Sequence, residues 1–241
     1  MEAYLFVLLV GAAAGVVSSI VGTGSSIMLL PVLVFAFGPK QAVPIMAVAA
    51  VMANLSRVAA WWREVNWKAF AAYSLTGIPA AAWGARTLLV LPAHMADIGL
   101  GLFFLLMIPV RRWLQAKQFH IRLWQLSVAG AVIGFLTGIV LSTGPLSVPA
   151  FTAYGLVKGA FLSTEAASSL ALYISKVVIF RELGALPAEA LVQGLIVGCS
   201  LMFGTFVGKA VVQRMSVRSF QYMLDGLLLC SGLSMLWAAI S

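Results

Sequence analysis

Residues 20–31 read IVGTGSSIMLLP, and this stretch decides how the surrounding chain can fold. It is apolar at both ends, but five residues in its middle and the proline at position 31 are typical of turns. The five are Gly22, Thr23, Gly24, Ser25 and Ser26. Inside a helix a glycine costs about 1 kcal/mol relative to alanine, and a proline costs about 3 kcal/mol. A break of this kind inside an apolar segment needs a structural or functional reason.

The composition of the whole chain is that of a membrane protein. Of its 241 residues, 62% are hydrophobic and only 9% are charged, with a mean hydropathy of +1.05, whereas soluble domains are about 25% charged. The apolar runs are continuous and lack the alternation of polar and apolar residues that a membrane β-barrel shows. The fold class that we expect is therefore an all-α polytopic membrane protein embedded in the lipid bilayer.

Ten apolar runs follow one another, and the second run of each half is short. They cover 3–21, 25–37, 42–62, 68–90 and 94–110, then 123–141, 144–155, 160–182, 187–210 and 217–239. The polar segment 111–122, RRWLQAKQFHIR, is predicted to link a first transmembrane repeat at 1–110 to a second at 123–241. The first run is interpreted as a membrane helix and not a signal peptide, because Glu2 stands where a basic region would.

The two halves share short motifs in the same order, which predicts an internal repeat. The matching pairs are Gly-x3-Gly at 11–15 and 130–134, the breaks GTGSS (22–26) and VLSTG (140–144), NLSR (54–57) and YISK (173–176), and GA (84–85) and GK (208–209). Each break ends five residues before a proline, Pro31 or Pro149. Either all five segments of each half cross the membrane, or the long and short segments form a re-entrant hairpin and three crossings remain. Both numbers are odd, so the second half is predicted to be inverted relative to the first.

The distribution of lysine and arginine predicts the orientation. If the linker 111–122 is cytoplasmic, the cytoplasmic ends carry ten of the 15 basic residues and the outer ends carry three. This asymmetry favours both termini outside, in a multi-pass protein of a bacterial-type inner membrane. Trp61, Trp62 and Trp67 mark one predicted cytoplasmic boundary, as interfacial aromatic residues do.

Five charged residues within or near the spans are candidates for function, because charges in hydrocarbon are rare. Arg57 and Lys176 could each extend to the interface, but their matching repeat positions favour a shared cavity in which both cations face an anion. Glu165 could support a helix N-terminus or carry a proton. Asp225 could pair with a cation or take part in coupling, and Asp97 is interpreted as a residue of a helix start.

The breaks themselves predict an anion site. A short helix that begins near Ser25 would present unpaired N–H groups and the positive end of its dipole, and the second half repeats the arrangement, with Pro145 suited to the first helical position. The alternative is a simple kink or a close packing contact. The predicted substrate-binding residues are Gly22, Thr23, Gly24, Ser25, Ser26, Asn54, Arg57, Ser142, Thr143, Gly144 and Lys176, and the coupling candidates are Glu165 and Asp225.

No cofactor and no metal site are expected. His94 and His120 have no partner at ligand spacing, and the two cysteines, Cys199 and Cys230, lie inside apolar runs where they are interpreted as small hydrophobic residues rather than a disulfide.

At these residues the chain resembles the TauE/SafE family, also called the sulfite exporter or toluene-sulfonate uptake permease superfamily. The residues GTGSSIMLLP (22–31) resemble a G-x-G-G-G break followed by a proline, with Ser25 and Ser26 in place of glycines, and VLSTGPLSVP (140–149) is a more divergent copy that keeps Gly144. The resemblance covers nearly the whole chain. It implies an inner-membrane transporter for small sulfur-containing or other organic anions.

The function expected from these observations is that of a secondary transporter that moves a small anion by alternating access. A passive anion channel would use the same helix termini without a coupling acid. An intramembrane enzyme would need a nucleophile and base or metal ligands within the membrane, and the sequence offers none. A homodimer is suggested solely by the habit of such carriers.

Overall fold

The computed structural model describes residues 2–21, 25–92, 120–139, 143–156 and 158–212, together with residues 95, 98–99, 102–103, 105–106, 108–110, 113, 226, 229 and 233. These ranges hold eight continuous α-helices and a short 3₁₀ turn, and they contain no β-strand. The helices are α1 (Glu2–Val21), α2 (Ser25–Phe37), α3 (Pro39–Trp61), α4 (Trp67–Val90), α5 (Leu123–Ile139), α6 (Gly144–Ala153), α7 (Lys158–Glu182) and α8 (Ala188–Val212). The 3₁₀ turn, Trp62–Glu64, joins α3 to α4.

The eight helices confirm eight of the ten predicted runs, with ends within about three residues of the expected ones, the usual uncertainty of helix boundaries. The runs 94–110 and 217–239 lie largely outside the described residues, as does most of the linker 111–122. By length and composition, three of the described helices can cross a membrane, over Gln41–Ala59, Gly159–Glu182 and Ala188–Thr205. Shorter apolar segments lie in α1, α2 and α5.

The short helix α6 folds back along α5. The backbone N–H of Ile121, just before α5, donates to the carbonyl of Ala153, the last residue of α6, at 3.0 Å. The start of α5 and the end of α6 therefore meet, and the pair is a hairpin. Gly38 separates α2 from α3, and its φ of 77° is a conformation that favours glycine. Pro39 is the first residue of α3, a position that suits proline.

Close contacts between backbones show the relative directions of the helices. α5 runs parallel to α4, because Gly130 contacts Tyr73 and Gly138, two turns later, contacts Ala81. α7 also runs parallel to α4, since the N–H of Asn66 donates to Thr164 Oγ1 at 2.9 Å at one end. Further along these two helices, Ser175 Oγ donates to the carbonyl of Ile78 at 3.2 Å.

A second group of helices runs the other way. α1 and α8 are parallel, because Gly11 contacts Ser200 and Gly15 contacts Gly204. α3 is parallel to α8 as well, with Gly194 beside Val48 and Gly198 beside Met52. α3 and α7 are antiparallel, because Arg57 of α3 pairs with Glu165, whereas Glu64 at the end of the 3₁₀ turn contacts Gly159 at the start of α7. The helices α1, α3 and α8 thus oppose α4, α5 and α7.

The surface of this bundle is apolar along the helices. Large side chains such as Phe35, Leu75 and Trp83 are exposed along the helices, where a bilayer would cover them. Trp62, the first residue of the 3₁₀ turn, and Trp67, the first residue of α4, are both exposed.

The α4–α5 contact depends on glycine. A Cβ atom added to Gly134 would lie 2.7 Å from the Cα atom of Gly77, so no other residue fits without moving a helix. We expect Gly134→Val to lower the free energy of unfolding by about 1–3 kcal/mol through overpacking. Thermal unfolding of the detergent-purified protein should show a midpoint lower by about 2–10 °C.

Gly99→Val is the matched control, because nothing lies within 4 Å of a Cβ atom added at that helical residue. Equal unfolding midpoints for the two variants would contradict the α4–α5 contact.

Candidate functional site

One face of α7 carries the polar residues around which the candidate site is built. Glu165, Ser169, Tyr173 and Lys176 are spaced i, i+4, i+8 and i+11, which places them within about 80° on the helix surface and over about 16 Å of its length. Glu165 and Lys176 are buried, with exposed fractions of 2% and 0%. A polar stripe of this length would occupy about half of the 30 Å hydrocarbon core of a bilayer.

Glu165 is the centre of a hydrogen-bond network. One carboxylate oxygen accepts from Arg57 Nη1 at 3.1 Å, and the other accepts from Ser147 Oγ at 3.1 Å and from Ser169 Oγ at 2.8 Å. Arg57 Nη2 donates to the side-chain oxygen of Asn54, and the amide nitrogen of Asn54 donates to the carbonyl of Ala50 at 2.7 Å. The network joins α3, α6 and α7.

The first break reaches the same face of α7. α2 begins at Ser25, as the sequence predicted, and Ser25 and Ser26 are both buried. The hydroxyl groups of Ser26 and Tyr173 share a hydrogen bond. The N-terminal turn of α2 therefore lies against the polar face of α7, between Glu165 and Lys176 along its length.

The second break reaches this face at two points. Ser147, in the first turn of α6, donates to Glu165. Thr143, which precedes the helix, shares a 2.5 Å hydrogen bond with Thr137 Oγ1, and the carbonyl of Thr137 accepts from Lys176 Nζ at 2.8 Å. The N-terminal turns of both short helices are thus connected to the same face of α7.

Lys176 has an unusual environment. Its Nζ atom lies 5.4 Å from the ring centroid of Phe180 and binds a carbonyl in the last turn of α5, where carbonyls lack helical partners. No carboxylate in the described part of the chain forms an ion pair with it. An ammonium has three N–H donors, so the bond to Thr137 leaves two for a ligand.

The structure brings together the predicted residues Ser25, Ser26, Asn54, Arg57, Thr143, Gly144, Glu165 and Lys176. Gly22, Thr23, Gly24, Ser142 and Asp225 lie outside the described residues, as does Asp97. The ion pair of Arg57 with Glu165 was not foreseen, because the sequence analysis treated Arg57 and Lys176 as equivalent cations. In the structure one is paired with a carboxylate and the other with a carbonyl.

Several residues of the network were missed by the sequence analysis. Thr137, Ser147 and Ser169 are small polar residues without charge, and Tyr173 was noted only as the repeat counterpart of Asn54. The helical spacing of the stripe on α7 was the signal that could have identified Ser169 and Tyr173. Tyr73 of α4 is buried close enough to Glu165 for the two groups to interact electrostatically, and its ring packs against Phe151 at 4.9 Å between centroids.

The described residues contain no group of three His, Cys, Asp or Glu side chains that could hold a metal ion. The site contains a guanidinium, a lysine amine, a carboxylate and several hydroxyl groups, and it lies beside the starts of two short helices.

Long apolar helices around a buried, charged polar network define the class of this protein as an integral membrane protein with an internal polar site. The profile of the sulfite exporter TauE/SafE family matches residues 7–235, so the chain belongs to this family of membrane transporters. The family membership expected from the sequence is thereby confirmed. Comparisons with curated proteins and with solved structures give no match.

The network makes Arg57 dependent on Glu165. We expect Glu165→Gln to lower the free energy of unfolding by about 3–5 kcal/mol, because it leaves a buried guanidinium without its carboxylate. Glu182→Gln, at the exposed end of the same helix, should change it by less than about 0.5 kcal/mol. Chemical unfolding in detergent measures both.

The double variant Arg57→Met/Glu165→Gln separates pairing from packing. It should be more stable than Glu165→Gln alone, since no unpaired charge remains. Strictly additive losses would contradict a direct interaction between the two side chains.

Proposed function

We propose that the protein is a secondary transporter for small anions that carry a sulfur oxoanion group, such as sulfite and sulfonates. The anion binds at the polar face of α7, and the two halves of the chain alternate around it. The observation that carries this proposal is that the N-terminal turns of two short helices are connected to one buried polar face of α7, which holds Lys176 and binds Arg57 through Glu165. The family membership supports a transported anion of this class.

The helix termini supply donors that no side chain needs to provide. Both termini carry the positive end of a helix dipole, and the first N–H groups of α2 lack intrahelical partners. At α6 the N–H groups of Leu146 and Ser147 donate to the carbonyl of Thr143 at 2.9 and 3.0 Å. Pro145 has no N–H group, so the donor that the start of α6 offers is the N–H of Gly144. Two such termini with buried hydroxyl groups suit the three oxygens of a sulfonate.

Lys176 is the cation that we assign to the substrate. A buried ammonium without a carboxylate partner is costly, and a bound anion removes most of that cost. Arg57 lies beside the same network but is already paired with Glu165.

The proposed mechanism rests on an inverted repeat, and the helix contacts support it. α1 packs on α8 through glycines as α5 packs on α4, and α3 lies along α8 as α7 lies along α4. In the described part of the chain, each half contains a pair of a long and a short helix followed by two long helices, and the long helices of the second half run opposite to their counterparts in the first. Alternating access in such folds is a rocking of one unit against the other.

We also propose that both termini lie outside and that the linker 111–122 is cytoplasmic. Arg63, Lys68 and Arg122 lie at the end of the bundle where α7 starts, whereas Arg86 and Arg181 lie at the other end. A cytoplasmic location for the first end agrees with the positive-inside rule.

Reconstituted protein with radiolabelled methanesulfonate, a sulfonate close in size to sulfite, tests this function. We expect saturable uptake that is accelerated by unlabelled methanesulfonate or sulfite inside the vesicles. Uptake that neither saturates nor responds to internal anion would replace the carrier by a passive channel. No protein-dependent uptake would contradict an anion transporter of this class.

A lysine comparison tests the site. Lys176→Met should weaken methanesulfonate binding by about 10- to 100-fold, the value of one charge-assisted hydrogen bond. Lys68→Met, at the exposed start of α4, should leave binding unchanged. Ligand-induced thermal shifts with sulfite, sulfate, sulfoacetate, taurine and methanesulfonate measure the effect, and equal shifts in both variants would remove Lys176 from the site.

A further inference from the structure

The ion pair between Arg57 and Glu165 has a position that suits coupling. Among the described residues this is the one ion pair that the structure shows, and both of its side chains are buried. It joins α3 of the first half to α7 of the second. Through Ser147, the same carboxylate also binds the first turn of α6. Any movement of one half against the other has to accommodate this bond.

Arg57 binds Glu165 through one terminal nitrogen and Asn54 through the other. An anion that binds the guanidinium through both terminal nitrogens therefore replaces the Glu165 carboxylate on one of them. If the anion displaces that carboxylate, Glu165 is left in a buried site without its positive partner. A buried carboxylate in that situation binds a proton, because the neutral form avoids the desolvation of the charge.

We propose that Glu165 is the proton-binding site that couples anion movement to the proton gradient. In the empty state the Glu165 carboxylate is ionised and paired with Arg57. In the loaded state the anion has moved along the polar face of α7 from Lys176 to Arg57 and pairs with it, and Glu165 holds one proton taken from the same side. A monovalent anion and one proton then cross together, and no net charge moves. This inference rests on the proposed anion transporter and deepens it.

Among the described groups that face Glu165, Arg57 is the charged one, so its distance from Glu165 decides whether the carboxylate binds a proton. α4 contributes Tyr73 and α7 itself contributes Tyr173, both neutral phenols that interact with Glu165 electrostatically. Among the described side chains of α6, the hydroxyl of Ser147 is the group that binds Glu165. Lys176 lies eleven residues further along α7, about 16 Å away along the axis.

A second observation supports proton access near Glu165. The hydroxyl groups of Ser74 on α4 and Ser168 on α7 are buried and have no hydrogen-bond partner among the described residues. Ser168 follows Glu165 by less than one turn, on the side of α7 where Thr164, Leu172 and Ser175 meet α4. Buried hydroxyl groups without partners are rare, and water is their usual partner. Water at the α4–α7 contact would connect Glu165 with a proton supply.

The experiment uses vesicles that contain the full-length protein and a trapped pH-sensitive dye. Methanesulfonate is the probe, because its sulfonate stays ionised and does not cross the bilayer as a neutral acid. An inward methanesulfonate gradient should acidify the lumen by one proton per anion. In reverse, a gradient of about one pH unit, alkaline inside, should accumulate labelled methanesulfonate about tenfold.

Two variants assign this coupling to Glu165. Glu165→Gln cannot release or bind the proton, so accumulation driven by the pH gradient should fall to the level seen without a gradient. Glu165→Asp keeps a titratable carboxyl group and should retain accumulation. Glu182→Gln, at the exposed end of α7, is the matched control and should accumulate methanesulfonate as the wild type does.

The outcomes separate this inference from the proposed function. Net uptake of methanesulfonate by the wild type without any change in luminal pH would overturn the coupling and leave the transporter. Gradient-driven accumulation by a folded Glu165→Gln variant at the wild-type level would overturn the assignment to Glu165. If Glu165→Gln fails to fold, the wild-type proton count and the Glu165→Asp variant still decide. Absence of any methanesulfonate exchange would contradict the proposed function itself.

Discussion

A backbone N–H or C=O group that is buried in hydrocarbon without a partner costs several kcal/mol, and the rest of this structure follows from that constraint. The chain interrupts its apolar sequence at 22–26 and again at 140–144, so two sets of backbone groups need polar surroundings inside the protein. The polar face of α7 provides them. Ser26 of α2 binds Tyr173, Ser147 of α6 binds Glu165, and Thr137 links Thr143 to Lys176. The broken helices and the charged residues are therefore parts of one arrangement.

Glycine contacts hold the helices that surround this face. Gly77 and Gly134 allow α4 and α5 to approach until their backbones touch, and Gly15 and Gly204 do the same for α1 and α8. Within a bilayer such packing replaces the hydrophobic effect, because lipid chains are as apolar as the side chains they compete with. The two glycine contacts fix each hairpin against a long helix of the other half, and α3 and α7 meet between them through Arg57 and Glu165.

The sequence alone predicted most of the helices and the start of α2 at Ser25, because apolar length and costly breaks are local signals. It also selected Arg57, Glu165 and Lys176, since charge within an apolar run is conspicuous. It did not predict which of these side chains bind each other. Arg57 and Glu165 are separated by 108 residues, and their pairing depends on the antiparallel contact of α3 with α7, which no local pattern encodes. Uncharged partners such as Thr137 and Ser147 were missed for the same reason, because their importance comes from position in the fold.

In the proposed transporter, the N-terminal turns of α2 and α6 form one anion site with Lys176. A crystal structure of the protein with bromomethanesulfonate, in which anomalous scattering locates the bromine, tests this site. We predict a bromine peak beside these two helix starts, with the sulfonate oxygens within hydrogen-bond distance of Lys176 Nζ. Bromine peaks confined to the ends of the bundle, with none near Lys176, would contradict an anion site at these helix starts.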